Sequence, residues 1–418
     1  MLNKIKTHYV IIFLFLVSTQ VYASDFILSE INVNGLTRTR YSTVLKISKL
    51  ETGISVNENT ADEVRQRLLE AGIFRNDVSV LLSGGPDGNA VIDITLEDRW
   101  TFIPLPVGFV SSDGWLAGAV VIQSNLAGLN QSLVAGTFAS DDYIQGFSAW
   151  SNPAFFGSDY SFGISGGFFF GGKENLDISG DETLASFKQS ELSSRIRLGN
   201  TFFTNDEWNI SSGVKWLQGE DSTGYLQGYD DNLLYWQNGI SLSWDNLYYR
   251  SFFNEGWSLG LDTTLYTSFR DMTNEPSLDF NISKNLILAG RHLLKFKMNM
   301  GWQDSNLLNP LYIGGTEGSR ALPSGDVAVK QYASGIASFE PVIFNPSWGI
   351  FTVPLYYEGG VLEPLQDSDS LFWHGPGVGF RFYVDKVAIP AIGADFTWDI
   401  ERGTFKVAVS VGGSGGGM

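Results

Sequence analysis

The sequence predicts a mostly β protein: a transmembrane antiparallel β-barrel of about 16 strands preceded by one small α/β domain. Three observations predict this fold. Charged residues make up 17% of the 418-residue chain and aromatic residues 14%, whereas about 25% of an ordinary soluble protein is charged. After the N-terminus no run of about 18 apolar residues occurs, so a membrane-spanning helix is not expected. From residue 101 onward, long segments alternate between apolar and small or polar residues, which is the pattern of barrel strands.

Residues 1–23 are predicted to be a secretory signal peptide. Lys4 and Lys6 form its basic region, residues 10–17 form its apolar region, and Val21-Tyr22-Ala23 supplies a small-residue cleavage site. A short N-terminal anchor helix is the alternative. The interpretation as a signal peptide implies export, with a mature chain that begins at Ser24.

Residues 24–100 are predicted to form the small α/β domain, in the order β-α-α-β-β. The first strand covers residues 26–33 and breaks at Asn34-Gly35. A first helix is expected over residues 39–50. A second begins at Thr60-Ala61-Asp62-Glu63, which matches a capping box. The last two strands are expected at residues 77–82 and 90–96. A generic α/β adaptor is the alternative interpretation.

Residues 101–418 are predicted to form the barrel. In one segment Trp236, Ile240 and Trp244 face one way while Gly239 and Ser243 face the other, as lipid-facing and lumen-facing positions do. A soluble sandwich would show the same period, but the low charge and the Trp and Tyr residues at segment ends favour a membrane barrel. Strands are expected to start near residues 102, 116, 131, 143, 160, 184, 207, 233, 256, 277, 291, 327, 348, 374, 387 and 402.

One long link, residues 304–326, carries glycines and a single central arginine, Arg320. A loop of this length without secondary structure is usually functional or disordered, and its glycines permit a packed, folded-back path. A buried arginine needs an acidic partner, for which Glu358 is the candidate. A surface loop with one solvated arginine is the alternative. The loop glycines are Gly314, Gly315 and Gly318, and the stretch around the candidate acid is Tyr356-Tyr357-Glu358-Gly359-Gly360.

The Gly-Gly-x-x-x-x-Arg loop, followed by an aromatic-aromatic-acid-x-Gly strand, resembles the BamA/TamA/FhaC-type superfamily of outer-membrane assembly and two-partner-secretion barrels. In that family an Arg-Gly-aromatic tip folds into the barrel and pairs with an acidic residue on the interior wall. The resemblance therefore implies that Arg320 and Glu358 form the loop-to-wall pair. This chain departs from the pattern in two ways, because its tip is Arg320-Ala321-Leu322 and its acid is Glu rather than Asp.

Three further stretches carry the same resemblance to the bacterial surface antigen barrel. They are residues 124–130, residues 152–157 and the wall motif Gly375-Pro376-Gly377-Val378-Gly379-Phe380-Arg381-Phe382. The order β-α-α-β-β resembles a POTRA (polypeptide-transport-associated) domain. The glycine-rich end of the chain, residues 412–418, departs from a family whose barrels usually finish on an aromatic residue.

The resemblance implies a protein of the cell outer membrane with its POTRA domain in the periplasm. It would insert or export polypeptide clients without covalent chemistry and receive them at the POTRA strand edge by β-augmentation. Its surroundings would be outer-membrane lipid and lipopolysaccharide. The barrel would be a monomer, alone or with accessory proteins. A passive pore or structural barrel and an outer-membrane hydrolase are the alternatives.

Composition and motifs do not favour an enzyme, a cofactor or a metal. The Gly163-Ile164-Ser165-Gly166-Gly167 stretch matches G-x-S-x-G, but a nucleophile elbow needs a strand-to-helix turn and this stretch alternates like a strand. His292 and His374 lack metal-ligand spacing. The chain has no cysteine, which excludes a thiol nucleophile and disulfides. The net charge of −18 argues against nucleic-acid binding.

Overall fold

The computed structural model describes residues 26–411, apart from residues 86, 112–113, 202–205, 229, 251, 305–306, 324–325, 367–368 and 389–390. The predicted signal peptide and the glycine-rich end of the chain lie outside the described residues. Among the described residues, no helix has the length and apolar character needed to cross a membrane.

The N-terminal module is a four-stranded sheet with two helices packed against it. Its strands follow the order β2-β1-β4-β3, in which β1 and β4 are parallel and β3 runs antiparallel to β4. The predicted order of elements is present, with the two-residue strand β2 added. The elements are β1 (Phe26–Asn34), α1 (Tyr41–Ser48), β2 (Ser55–Val56), α2 (Thr60–Glu70), β3 (Ser79–Gly84) and β4 (Asn89–Thr95).

The prediction of a capping box at the start of α2 was wrong. Thr60 is the first helical residue, and the N-cap residue Asn59 makes no side-chain capping bond. The Thr60 hydroxyl instead accepts a hydrogen bond from the backbone N–H of Asn57 at 3.0 Å. The turn that leads into the helix therefore uses the hydroxyl that the box would need. The helix itself forms and buries Val64, Leu68 and Leu69.

The barrel contains the strands that follow the module. They are β5 (Phe102–Ser111), β6 (Gly114–Leu126), β7 (Gln131–Ser140), β8 (Tyr143–Asn152), β9 (Ser161–Leu176), β10 (Thr183–Asn200), β11 (Asp206–Glu220), β12 (Asp231–Arg250), β13 (Phe253–Ser268), β14 (Asn274–Leu288), β15 (His292–Gln303), β16 (Leu311–Ile313), β17 (Val327–Glu340), β18 (Val342–Phe344), β19 (Gly349–Thr352), β20 (Leu355–Pro364), β21 (Leu371–Val384), β22 (Ile392–Asp399) and β23 (Thr404–Val411).

These 19 segments close into one antiparallel barrel. The short β18 and β19 continue β17 and β20, since β19 and β20 pair with successive parts of β21. The short β16 belongs to the loop before β17 and pairs only with that strand in the described chain. Sixteen strands therefore form the described wall, as predicted, and each predicted start lies within five residues of an observed one.

The two faces of the wall are as expected from the alternation. Trp236, Ile240 and Trp244 expose 48%, 53% and 40% of their surface on the outside of the barrel, while Gln237 is buried on the inside. The G-x-S-x-G stretch lies within β9, where Ser165 pairs with Arg195 of β10. It is an ordinary strand, and the geometry of a nucleophile elbow is not present there.

The N-terminal module rests against turns at one end of the barrel. In the turn between β6 and β7, the Gly128 carbonyl accepts hydrogen bonds from the Arg40 backbone N–H at 3.0 Å and from the Thr43 hydroxyl at 2.7 Å. Gly128 has a φ of +73°, and a Cβ there would overlap the Arg38 carbonyl. Only glycine fits this close approach, which explains one residue of the 124–130 stretch noted in the sequence.

Three more turns, beside the ends of β8, β12 and β21, hold the module in the same way. Their contacts join Lys46 to Asp159 (3.1 Å), Gln66 to Tyr249 (2.7 Å) and Arg75 to Asp385 (2.8 Å). The four contacted turns are spread around the barrel, and no gap between neighbouring contacted turns reaches half of its circumference. The module therefore spans the mouth of the barrel at this end.

Asp98 fastens the segment that leads from the module into β5. Its carboxylate accepts hydrogen bonds from the backbone N–H groups of Thr37 at 2.8 Å, Arg38 at 2.6 Å and Thr39 at 3.2 Å. Burial alone would raise the pKa of Asp98, but the hydrogen bonds from Thr39, Thr37 and Arg38 outweigh it and hold the pKa below its ordinary value.

Candidate functional site

The loop between β15 and β17 folds back inside the barrel. Its short strand β16 pairs with β17 through Leu311 and Val329, and the chain then turns sharply at three glycines. Gly314, Gly315 and Gly318 have φ of +132°, +71° and +95°, a backbone region that glycine enters without strain. The turn brings Arg320 to the wall with only 8% of its surface exposed. This buried position is incompatible with a solvated surface arginine.

Arg320 meets two carboxylates on two different strands. Its Nε lies 3.0 Å from Asp395 Oδ2 on β22, and its Nη1 lies 3.5 Å from Glu358 Oε2 on β20. Its guanidinium carbon sits 4.8 Å from the centre of the Tyr356 ring, a cation–π distance. The structure thus brings the two residues singled out in the sequence together, but the shorter contact is to Asp395, which the sequence analysis missed.

Glu358 holds the loop by its backbone as well as by charge. Its Oε1 accepts a hydrogen bond from the Ala321 N–H at 3.0 Å, and its Oε2 accepts one from the Gly318 N–H at 3.2 Å. The residue is 1% exposed. The buried carboxylate thus accepts two backbone hydrogen bonds, and the charge of the Arg320 guanidinium 3.5 Å away offsets its own.

A second set of charges completes the contact between loop and wall. Glu317, in the loop, lies 2.8 Å from Lys295 Nζ and 3.5 Å from Lys297 Nζ, both on β15. On β21, Arg381 Nη2 donates to the two oxygens of Asp395 at 2.8 Å and 2.7 Å. Cations and carboxylates therefore alternate across the interface, so each buried charge has an opposite neighbour.

Two glycines of the wall motif make room for this network. Gly377 is the cross-strand partner of Tyr356, and a Cβ at Gly377 would overlap the tyrosine ring. The Tyr356 hydroxyl in turn lies 2.7 Å from Thr397 Oγ1. A Cβ at Gly379 would collide with the Asp395 carboxylate. Both glycines thus let the ring and the carboxylate lie flat against the wall.

Other residues singled out in the sequence lie elsewhere. Tyr357 and Phe380 are 48% and 45% exposed on the outer face, and Gly359 lies on that face beside them by strand alternation. Tyr357 is hydrogen-bonded to His374, whose Nε2 lies 2.8 Å from Glu401. These residues build the outside of the wall and do not contact the loop. Gly360 faces inward, where a Cβ would overlap the Ala333 carbonyl of β17 and so disturb the pairing of the two strands.

The arrangement holds the loop against the wall through buried ion pairs and backbone hydrogen bonds. Among the described residues, no group of three or more His, Cys, Asp or Glu side chains is placed to bind a metal ion. What the geometry provides is a fixed pattern of charge on one interior wall. Lys295 and Lys297 lie two residues apart between apolar neighbours, so the strand alternation was the one signal in the sequence for the second set of charges.

The fold has known structural relatives, although no protein-family model and no curated protein sequence matches the chain. It is similar to BamA from Haemophilus ducreyi lacking POTRA domains 1–3, with a TM-score of 0.53 over 92% of this chain and 83% of that one. It is also similar to CdiB from Acinetobacter baumannii, with a TM-score of 0.58 over 93% and 74%, and to CdiB from Escherichia coli, with a TM-score of 0.52 over 94% and 90%. Sequence identity is 12% in each case. The chain therefore has the fold of the BamA and CdiB barrels, as the resemblance in the sequence predicted.

Proposed function

We propose that this protein is an outer-membrane barrel that inserts or exports polypeptide clients, with the N-terminal module acting as a POTRA domain in the periplasm. The observation that carries the proposal is the inward loop fixed to one interior wall by Arg320, Glu358 and Asp395. The likeness in fold to BamA and CdiB supports the same class of function.

The loop leaves β7 uncovered, although its Tyr312 and Asn309 reach across the lumen to Asn175 of β9 (3.0 Å) and to Lys215 of β11 (2.9 Å). In β7 no described residue is buried, and in β9 Asn175 is the one buried residue of the strand. By contrast, β20 and β21 bury alternate residues against the loop. An extended polypeptide could therefore pass along β7 while the loop stays attached to β20 and β22.

The module offers an edge for the client. Within the described chain, β3 pairs with β4 alone, so its other edge has unpaired backbone groups, and Leu81 on β3 is 63% exposed. Such an edge can accept an extended segment by β-augmentation. Because the module spans the mouth of the barrel, a client bound at β3 would be delivered close to the lumen.

Deletion of residues 25–97 tests the role of the module. The barrel has its own closed set of strands, so we expect the shortened chain to fold, to fractionate with the outer membrane and to migrate differently when unheated. Client transport should be lost. Full transport by the shortened chain would remove the module from the mechanism, and recovery of the intact chain as a soluble periplasmic protein would refute the membrane assignment.

Crosslinking identifies the client and distinguishes the proposal from a passive pore. A photoreactive residue in place of Leu81 should capture a polypeptide client. The matched control is a photoreactive residue in place of Ile27, which is 49% exposed on the inner strand β1 and should capture much less of that client. The captured polypeptide should then be depleted from the outer membrane or the medium when this protein is absent. Steady ion conductance with no effect on any captured polypeptide would instead support a pore.

A further inference from the structure

The outer face of the barrel has a groove that the proposed transport does not use. It crosses the wall from β14 to β21 and encloses about 720 Å³. Its floor consists of the small residues Ala333, Gly335 and Gly359. Phe296 and Met298 form one side of the groove, and Phe372 forms the other.

The strand register explains how the groove arises. Met298, Gly335 and Gly359 are cross-strand partners on three adjacent strands, so the two glycines lie side by side next to the methionine. The flanking Phe296 and Phe372 are 45% and 60% exposed and stand above the floor. A Cβ added at Gly335 would meet only one atom within 4 Å, the Lys297 carbonyl oxygen at 3.6 Å. The space above this glycine is therefore open.

A cation marks one end of the groove. Lys284 lies near the end of β14 on the side of the N-terminal module, and its Nζ is 4.9 Å from the centre of the Trp257 ring. Among the described residues it forms no ion pair. At the opposite end, His374 lies near the start of β21 and is held by Tyr357 and Glu401. The apolar floor thus runs obliquely up the wall, away from a lysine that is free to bind an anion.

We propose that this groove binds an anionic phospholipid, with its phosphate at Lys284 and one acyl chain along the Gly335 floor. The inference rests on the membrane placement of the barrel and not on client transport. Neighbouring strands are about 4.8 Å apart, so the four steps from β14 to β21 span roughly 19 Å. That length accommodates an acyl chain that crosses one leaflet of about 15 Å. A lysine beside a tryptophan is a usual pairing at the level of the lipid headgroups.

Native mass spectrometry of the intact purified protein with added phosphatidylglycerol tests the proposal. We expect the wild type to retain one such lipid. Gly335→Leu should abolish retention, because the leucine fills the floor without a backbone clash. Lys284→Gln should weaken retention about fivefold, as expected for one basic residue at an anionic headgroup. Ala394→Leu, which adds the same side chain to an outward position on β22 outside the groove, is the control and should leave retention unchanged.

Several results would overturn the proposal. They are no retained lipid in the wild type, retention by Gly335→Leu equal to that of the wild type, and retention of zwitterionic phosphatidylcholine by the wild type equal to its retention of phosphatidylglycerol. Each variant should first show the shifted migration of an unheated closed barrel, so that a folding defect is not mistaken for loss of binding. Absence of retained lipid in a wild type that still transports its client would refute the groove alone, whereas recovery of the wild type as a soluble protein would refute the proposed membrane placement.

Discussion

The two sides of the barrel lumen differ in what covers them. On β20 and β22 the carboxylates of Glu358 and Asp395 are fully buried against the loop. On β10, Arg197 is an exposed lumen residue for which the described chain provides no ion pair. Both sides carry charge at lumen positions, so composition does not distinguish them. The difference arises because the glycines of the loop bring Arg320 against β20 and β22, which removes water from the charges there, whereas Arg197 stays exposed.

The largest expected effect comes from removing the central cation of the covered side. Arg320→Ala leaves the buried Glu358 without a cation and leaves Asp395 with Arg381 as its only close cation among the described residues. Loss of one partner of a buried ion pair typically costs about 3 to 5 kcal/mol of folding stability. We expect a clear fall in the temperature at which the unheated barrel band converts to the heated one. Arg197→Ala, on the uncovered side, is the matched control and should leave that temperature nearly unchanged. Equal effects of the two substitutions would show that the loop does not shield the covered side.

The coupling between Arg320 and Glu358 sharpens the same test. Arg320→Ala strands the charge of Glu358, whereas Glu358→Ala still leaves Arg320 with Asp395. The double variant should therefore lose little more stability than Arg320→Ala alone. Arg320→Lys should restore part of the loss, since an ammonium keeps the charge but not the planar fork that reaches two carboxylates. Additive losses in the double-mutant cycle would mean that the two residues do not stabilise each other.

A smaller effect is expected from crowding the covered side. In Gly377→Ala the added Cβ would overlap the Tyr356 ring, and overpacking of this kind costs about 1 to 3 kcal/mol. The displaced ring would also lift from Arg320. In Gly172→Ala, on β9, the nearest atom to the added Cβ is 3.7 Å away, an ordinary contact. The temperature at which the unheated barrel band converts to the heated one should fall for Gly377→Ala and stay unchanged for Gly172→Ala.

The smallest effect is expected outside the barrel, at Asp98. Because its pKa is lowered in the folded module, its stabilisation is present above the ordinary value of about 3.9. That stabilisation is lost as the pH falls through the lower folded value. Asp98→Asn should therefore cost about 1 kcal/mol at neutral pH, a figure discounted for partial exposure. The difference from wild type should vanish in strong acid. Denaturant unfolding at neutral and at strongly acid pH measures the difference in unfolding free energy between the two proteins. A difference that is the same at both pH values would exclude the charge of Asp98 as its cause.

The alternation of side chains predicted the barrel wall well, because the strand period is local. The capping box at Thr60 failed because Asn57 competes for the same hydroxyl. Asp395 was missed for a different reason. Its sequence neighbours mark it as one more lumen residue, and its approach to Arg320 depends on how β22 is placed against β20 and on where the loop ends. Those relations are set by the register of the closed sheet, which no single segment encodes.

The hydrogen bonds at Glu358 have a consequence for which tip sequences the loop can accept. The carboxylate accepts hydrogen bonds from the backbone N–H groups of residues 318 and 321. Every amino acid except proline has such an N–H group. The attachment therefore does not depend on the side chain that follows the arginine. Ala321 makes this hydrogen bond in place of the family's glycine, and other residues of similar size at position 321 should keep the loop attached. Proline is the exception, because Ala321→Pro would release the tip while every charge in the network stayed intact.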